Sequence, residues 1–175
     1  VQGKSFSLDP FDAQSQIIHS LDKTNINILD VGANKGQTAR KYRAMFPEAE
    51  VYCFEPFPDS IAELKRQFTD DKKTHIVSKA IGREKGISTF YVNEFDATNS
   101  LLPRPISERR YYPKCAGPKE TIEVEVIDID GFVSANNISV IDILKFDIQG
   151  GELNALRGAT ELLASGNTSL IYTEI

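Results

Sequence analysis

Residues 30–36 read DVGANKG and connect an apolar run at 27–31 to a segment of helical periodicity at 37–46. Gly32 and Gly36 allow the backbone to turn tightly and to approach a ligand. Amide groups exposed at the start of the following helix favour a carboxylate or a phosphate. We therefore predict a strand, a glycine turn and a helix, with a small-molecule cofactor bound at the carboxyl ends of the strands.

The same alternation of apolar runs and helical segments continues along the chain. It is typical of a parallel sheet with helices on both faces, so we predict an α/β fold with a doubly wound, mostly parallel sheet. Beside 27–31, the predicted strands are 50–55, 75–78, 140–146 and 169–174. The predicted helices are 11–21, 37–46, one with Ile61, Leu64 and Phe68 on one face, and one with Leu153, Leu156 and Leu163 that ends before Gly166.

Local signals add an antiparallel strand pair and two boundaries. Ser60 and Glu63 have the spacing of a capping box, which predicts that the third helix starts there. Residues 121–126 alternate between polar and apolar, which is typical of a strand with one exposed face. We predict that this inserted strand pairs with the segment around Phe90 at one edge, and that Gly86 marks the turn before that segment.

Size and charge limit the architecture and the partners. A chain of 175 residues supports one core, and we predict one domain, with residues 1–24 as an N-terminal helical cap and 97–119 as an insertion loop. Because the chain ends inside an apolar run at Ile175, we expect the C-terminal strands to be missing. The net charge of −5 argues against a nucleic-acid surface, and no apolar run has the roughly 18–20 residues of a membrane span. We expect a cytoplasmic protein.

The spacing around the glycine turn distinguishes between cofactors. A dinucleotide fingerprint needs G-x-G-x-x-G, but Asn34 and Gln37 stand at the second and third glycine positions counted from Gly32. Glu55 ends the second strand 23 residues after Gly32, where an acid in nucleoside-binding folds accepts hydrogen bonds from ribose hydroxyls. A helix-start acid or a solvated surface residue is the alternative for Glu55. Because Glu55 occurs together with the glycine turn, we interpret it as a ribose ligand.

Several further stretches carry a resemblance to one family. They read SKAIG at 78–82, IDID at 127–130, LKFDIQGGE at 144–152 and YTE at 172–174. With the glycine turn, these stretches make the chain similar to the FkbM family of class I S-adenosylmethionine-dependent methyltransferases, which have a Rossmann-like fold. Gln149 and Gly151 stand where that family usually has glutamate and alanine.

The resemblance implies S-adenosylmethionine as the cofactor and assigns residues to its parts. The glycine turn and Asp30 would hold the methionine part, Glu55 the ribose and Ala80-Ile81 the adenine edge, with Asp147 beside the reacting methyl group. The predicted cofactor-binding residues are Asp30, Gly32, Ala33, Asn34, Gly36, Glu55, Pro56, Ala80, Ile81 and Asp147.

The resemblance also implies that the acceptor is a hydroxyl group of a small molecule such as a sugar or a natural product. A hydroxyl loses its proton during methylation, so a carboxylate within hydrogen-bond reach serves as general base. The candidates are Asp147, Glu152 and Glu174, with Asp147 ranked first. For Glu152 we favour the alternative interpretation, a first-turn acid that the helix dipole stabilises. No complete set of oxygen ligands is visible, so we predict no metal.

The loop at 97–119 and the departure at Gln149 leave alternatives open. Four basic side chains of the loop would meet an anionic acceptor, or the loop is solvated and flexible; they are Arg104, Arg109, Arg110 and Lys114. A non-catalytic module that keeps the cofactor pocket is the alternative to an enzyme. A nucleotide-binding oxidoreductase on the same architecture is disfavoured by the missing second glycine. The oligomeric state is not predicted.

Overall fold

The main sheet of the computed structural model, which describes residues 9–103 and 118–173, consists of five parallel strands in the order β3-β2-β1-β7-β8. Parallel pairing of this kind requires crossover connections, and helices provide them. The five strands are β1 (Asn27–Val31), β2 (Glu50–Phe54), β3 (Thr74–Val77), β7 (Ile141–Phe146) and β8 (Thr168–Thr173). The predicted doubly wound α/β fold is confirmed, and all five strands lie within one residue of their predicted bounds.

Helices cover the main sheet on both faces because neighbouring strand residues point to opposite sides. Ile28 packs in one apolar cluster with α1 (Pro10–Ser20), α2 (Gln37–Met45) and α3 (Pro58–Gln67). Leu29 packs in a second cluster with α4 (Ile129–Ala135), α5 (Glu152–Arg157) and α6 (Thr160–Ala164). Within the described ranges, no helix is long and apolar enough to cross a membrane.

A second sheet of three strands, in the order β4-β6-β5, carries the inserted strand pair. Its strands are β4 (Ala80–Ile81), β5 (Gly86–Val92) and β6 (Glu120–Ile127). The predicted antiparallel pairing is confirmed, with Phe90 opposite Ile122. The position at an edge was wrong, since β6 is the middle strand and also pairs in parallel with β4. Gly86 is the first residue of β5 rather than part of the preceding turn.

The predicted capping box at the start of α3 is wrong. The helix begins at Pro58, and its N-cap residue Phe57 offers no side-chain hydrogen bond. Ser60 is buried inside the helix, and the Glu63 carboxylate accepts hydrogen bonds from Arg66. Proline has a fixed φ and lacks an amide hydrogen, so it suits the first helical position and sets an earlier start.

The single helix predicted through Leu153 and Leu163 is divided into α5 and α6. The division follows from α4, a seven-residue helix that the sequence did not reveal. At its start, the amide of Asp130 donates to the carbonyl of Gly158 over 2.9 Å. The Asp130 carboxylate accepts hydrogen bonds from the amides of Glu161 and Leu162, both over 2.9 Å. Asp130 therefore caps α6 from a neighbouring helix.

We expect Asp130→Ala to lower the free energy of unfolding by about 0.5–2 kcal/mol, the usual loss for removal of a capping side chain. The carboxylate oxygens receive two amides of the first turn of α6, which then lack an acceptor. Urea unfolding measures the change, with the exposed Asp70→Ala as the control. Equal stability of the two variants would refute the role of Asp130.

Candidate active site

The glycine turn between β1 and α2 is fixed by the backbone of β2. The amides of Gly32 and Ala33 both donate to the Phe54 carbonyl over 3.0 Å. Gly32 has φ +80°, and a Cβ atom there would lie 2.0 Å from the carbonyl oxygen of Asp147. Only glycine therefore permits the turn to approach the end of β7 so closely.

The amides of the turn itself are engaged within the protein. The amides of residues 32–36 donate to the Phe54 carbonyl, the Glu55 carboxylate, the Asn34 side chain and the Ala33 carbonyl. The first amides of α2, from Gln37 onward, have no acceptor within the helix. A ligand carboxylate therefore finds free amide donors at the first turn of α2 and not in the glycine turn.

Glu55 is buried at the end of β2, with 6% of its surface exposed. Its Oε2 accepts a hydrogen bond from the Asn34 amide and its Oε1 one from the Phe57 amide, both over 2.9 Å. Burial raises the pKa of Glu55 to about 7, although the two amide hydrogen bonds favour the ionised form. Each carboxylate oxygen keeps a second lone pair for a ligand hydroxyl.

Lys145 connects β7 to β1 through a buried ion pair. Its Nζ lies 2.8 Å from Oδ1 of Asp30, and the two side chains are 4% and 0% exposed. Nζ also donates to the Gly32 carbonyl over 3.0 Å and lies 3.9 Å from Oδ2 of Asp147. Asp30 and Lys145 occupy paired positions of β1 and β7, so the register of the two strands brings the charges together.

Asp147 follows β7 directly and is half-exposed. Its amide donates to the Val31 carbonyl over 3.0 Å, and its Oδ1 accepts a hydrogen bond from Nε2 of Gln149 over 3.0 Å. Glu152 is used differently, since its Oε1 accepts from the Ile148 amide over 3.0 Å at the start of α5. This contact agrees with the structural interpretation of Glu152.

These groups surround one cavity, whose empty space is about 860 Å³ when the solvent at its mouth is included. Eight of the predicted cofactor residues line it: Gly32, Ala33, Asn34, Glu55, Pro56, Ala80, Ile81 and Asp147. Asp30 lies behind the lining, fully buried against Lys145. Gly36 and Glu152 are not among the lining residues of the described part of the chain.

The segment at 93–101, which follows β5 and includes the start of the predicted insertion loop at 97–119, forms a wall of the cavity. It contributes Asp96, Ala97, Asn99, Ser100 and Leu101 to the lining. The Ser100 hydroxyl donates to the carbonyls of Ile148 and Gln149, at 3.3 and 3.0 Å. Asp96 forms an ion pair of 2.7 Å with Lys35. The segment is therefore attached to both sides of the cavity mouth.

Lys145 also lines the cavity and was not predicted as a site residue. A signal for it exists in the sequence, because a lysine between Leu144 and Phe146 in a predicted buried strand needs a buried partner. Glu174 and the basic residues Arg104, Arg109, Arg110 and Lys114 lie outside the described residues, so their predicted roles stay predictions.

The parallel sheet, the glycine turn and the acid at the end of β2 define a class of nucleoside-binding α/β proteins. The Methyltransferase FkbM domain matches residues 30–175, and the chain belongs to that family. The resemblance stated from the sequence is confirmed, and the chain is a methyltransferase domain.

Two curated relatives agree with this family. The 2-O-methyltransferase NoeI of Sinorhizobium fredii is 29% identical over 167 residues, covering 91% of this chain and 67% of the relative. Methyltransferase 1 of Beauveria bassiana is 25% identical over 150 residues, covering 75% of this chain and 57% of the relative. The chain thus spans about two thirds or less of the length of each relative.

Proposed function

We propose that the protein transfers the methyl group of S-adenosylmethionine to a hydroxyl oxygen of a small molecule such as a sugar. One observation carries the proposal: the glycine turn, the buried Glu55 and Asp147 line the same cavity. The family implies a methyl donor, and the name of the first relative specifies transfer to oxygen at a 2-position. We extend the proposal to residues 1–175 as one domain.

The lining fits S-adenosylmethionine part by part. The side chains of Ala80, Ile81, Phe90 and Leu101 offer an apolar surface for the adenine ring. Glu55 would accept hydrogen bonds from the ribose hydroxyls through its free lone pairs. Gln37 and Thr38 line the cavity at the first turn of α2, where free amides and the helix dipole favour the cofactor carboxylate.

Asp147 is the best placed of the predicted bases. The bound cofactor supplies an activated sulfonium methyl group, so the protein has to orient the acceptor and to take its proton. Asp147 lines the cavity and is held by Gln149, whereas Glu152 is engaged with the Ile148 amide. We propose Asp147 as the general base, with its Oδ2 directed at the acceptor hydroxyl.

We expect the affinity for S-adenosylhomocysteine to rise by up to about tenfold between pH 6 and pH 8, because ribose hydroxyls donate best to an ionised Glu55. The pKa of Glu55 is raised to about 7, so the carboxylate is the minor form at pH 6 and the major form at pH 8. Calorimetry across this range measures the effect. Glu55→Gln is the matched control, since it keeps the side-chain shape and removes the titration. An equal pH dependence in the variant would exclude Glu55 as its source.

The acceptor is tested by a turnover screen. The protein is incubated with S-adenosylmethionine and a series of methyl glycopyranosides that carry a free 2-hydroxyl group, and release of S-adenosylhomocysteine is measured. Turnover that disappears with the matching 2-deoxy glycoside supports the proposal. Cofactor binding without turnover of any glycoside would contradict the sugar acceptor and favour the non-catalytic module.

A further inference from the structure

We propose that Lys145 is a further catalytic residue, whose ammonium group donates a hydrogen bond to the acceptor oxygen while Asp147 takes the proton of the same hydroxyl. The inference rests on the proposed function and deepens it by assigning the acceptor oxygen to the space between these two side chains. The position of Lys145 in β7 does not by itself imply a role in the reaction, so its role is inferred from its contacts.

The donors of Lys145 carry the argument. A lysine ammonium has three N–H groups. Nζ donates to the Gly32 carbonyl over 3.0 Å and forms an ion pair of 2.8 Å with Oδ1 of Asp30, whose carboxylate oxygens accept no hydrogen bond from the described residues. No further acceptor lies within hydrogen-bond distance of Nζ among residues 9–103 and 118–173. The side chain is 4% exposed and lines the cavity. A buried donor left without an acceptor is costly, so Lys145 has N–H groups to donate to an oxygen bound in the cavity.

The surroundings of Lys145 favour a hydroxyl over a carboxylate as that ligand. Oδ2 of Asp147 lies 3.9 Å from Nζ, and an oxygen about 2.8 Å from both atoms fits within this separation. A ligand carboxylate there would be repelled by Asp147. A hydroxyl group satisfies both neighbours, because it accepts from Lys145 and donates to Asp147. The cofactor carboxylate has its own place at the first turn of α2.

Asp30 and Gln149 hold Lys145 and Asp147 in position. Asp30, fully buried, balances the charge of the Lys145 ammonium. Gln149 donates to Oδ1 of Asp147 over 3.0 Å, which leaves Oδ2 for the acceptor. A glutamate at position 149 would offer no such donor when ionised. Gln149 is therefore a positioning residue in this chain.

The step balances with these groups alone. A lone pair of the acceptor oxygen forms the new O–C bond, and the methyl–sulfur bond breaks with its electron pair going to sulfur. The hydroxyl proton passes to Oδ2 of Asp147. Lys145 donates to the oxygen while negative charge develops on it, as an oxyanion donor does.

The variants are chosen to preserve the fold. Lys145→Met alone leaves Asp30 as an unpaired buried charge, so the test uses the double variant Asp30→Asn/Lys145→Met. The control is Lys23→Met/Asp142→Asn, which removes a lysine–aspartate ion pair outside the lining of the cavity; Asp142 is buried, and the Lys23 side chain is 34% exposed. Thermal unfolding confirms that each variant is folded.

The first measurement needs no acceptor. Calorimetry compares S-adenosylhomocysteine with 5′-methylthioadenosine, which lacks the amino and carboxylate groups. We expect the Asp30→Asn/Lys145→Met change to alter the affinities for both ligands by the same factor, within about twofold. A loss of S-adenosylhomocysteine affinity that exceeds the loss for 5′-methylthioadenosine by tenfold would assign the Asp30–Lys145 pair to the cofactor and overturn the inference.

The second measurement is turnover of the glycoside found in the screen. We expect kcat to fall about 100- to 1000-fold in Asp30→Asn/Lys145→Met, the usual loss of one oxyanion donor, and less than tenfold in the control pair. Equal kcat values in the double variant and in the wild type overturn the inference. If the wild type methylates no glycoside, the proposed acceptor fails, and the affinity comparison still decides the role of Lys145.

Discussion

Gly32→Ala is expected to lower the free energy of unfolding by at least about 3 kcal/mol and to abolish cofactor binding. The left-handed conformation at φ +80° costs an alanine about 1–2 kcal/mol. The added Cβ would also lie 2.0 Å from the Asp147 carbonyl oxygen, which is backbone and cannot rotate away. The turn must then separate from β7, which displaces both the cofactor wall and the proposed base. Urea unfolding and calorimetry measure the two losses.

Gly86→Ala is the control for Gly32→Ala. Gly86 is exposed at the first position of β5, and a Cβ atom there meets nothing within 4 Å. We expect a change within about 1 kcal/mol, in the stabilising direction, because alanine loses less conformational freedom on folding. If Gly32→Ala were as stable as Gly86→Ala, the described approach of the turn to β7 would be wrong.

Asp147→Asn is expected to lower turnover about 100- to 10,000-fold while changing the affinity for S-adenosylhomocysteine by less than tenfold. Asparagine keeps the size of the side chain but cannot take the acceptor proton. The fold should be retained, because Asp147 is half-exposed and its backbone contacts stay in place. The readouts are kcat with the glycoside from the screen and calorimetry with the product cofactor.

Glu152→Gln distinguishes the two described candidates for the base. Its side-chain carbonyl still accepts the hydrogen bond from the Ile148 amide, so the start of α5 is preserved. We expect a loss of turnover below about threefold, since Glu152 is not among the described residues that line the cavity. The reverse order, with the larger loss in Glu152→Gln, would move the base to Glu152.

The sequence predicted the strands of the main sheet because apolar runs such as 27–31 are long enough to be recognised without tertiary information. The sequence did not predict the helix bounds that depend on tertiary contacts. The break between α5 and α6 depends on Asp130 in another helix, and α4 is too short for a clear period. The start of α3 follows from Pro58, whose preference outweighs the Ser60–Glu63 spacing.

In the candidate site, too, the residues at strand ends were predictable from the sequence, and those that depend on tertiary contacts were not. The glycine turn, Glu55 and Asp147 lie at strand ends, where the order of elements alone places ligand contacts. The wall at 93–101 comes from the second sheet, and its attachment through Ser100 depends on folding that no local pattern encodes. Lys145 needed the register of β1 and β7 before its pairing with Asp30 was visible.

Calorimetric titration of the chain with S-adenosylmethionine, beside Glu55→Ala, tests the central claim that this cavity holds the cofactor. We expect one molecule bound per chain. The affinity should be about 10- to 100-fold lower in the variant, because this is the usual contribution of hydrogen bonds to a charged group such as the Glu55 carboxylate. No binding of S-adenosylmethionine or S-adenosylhomocysteine by the folded chain, or equal affinities for the chain and the variant, would contradict it.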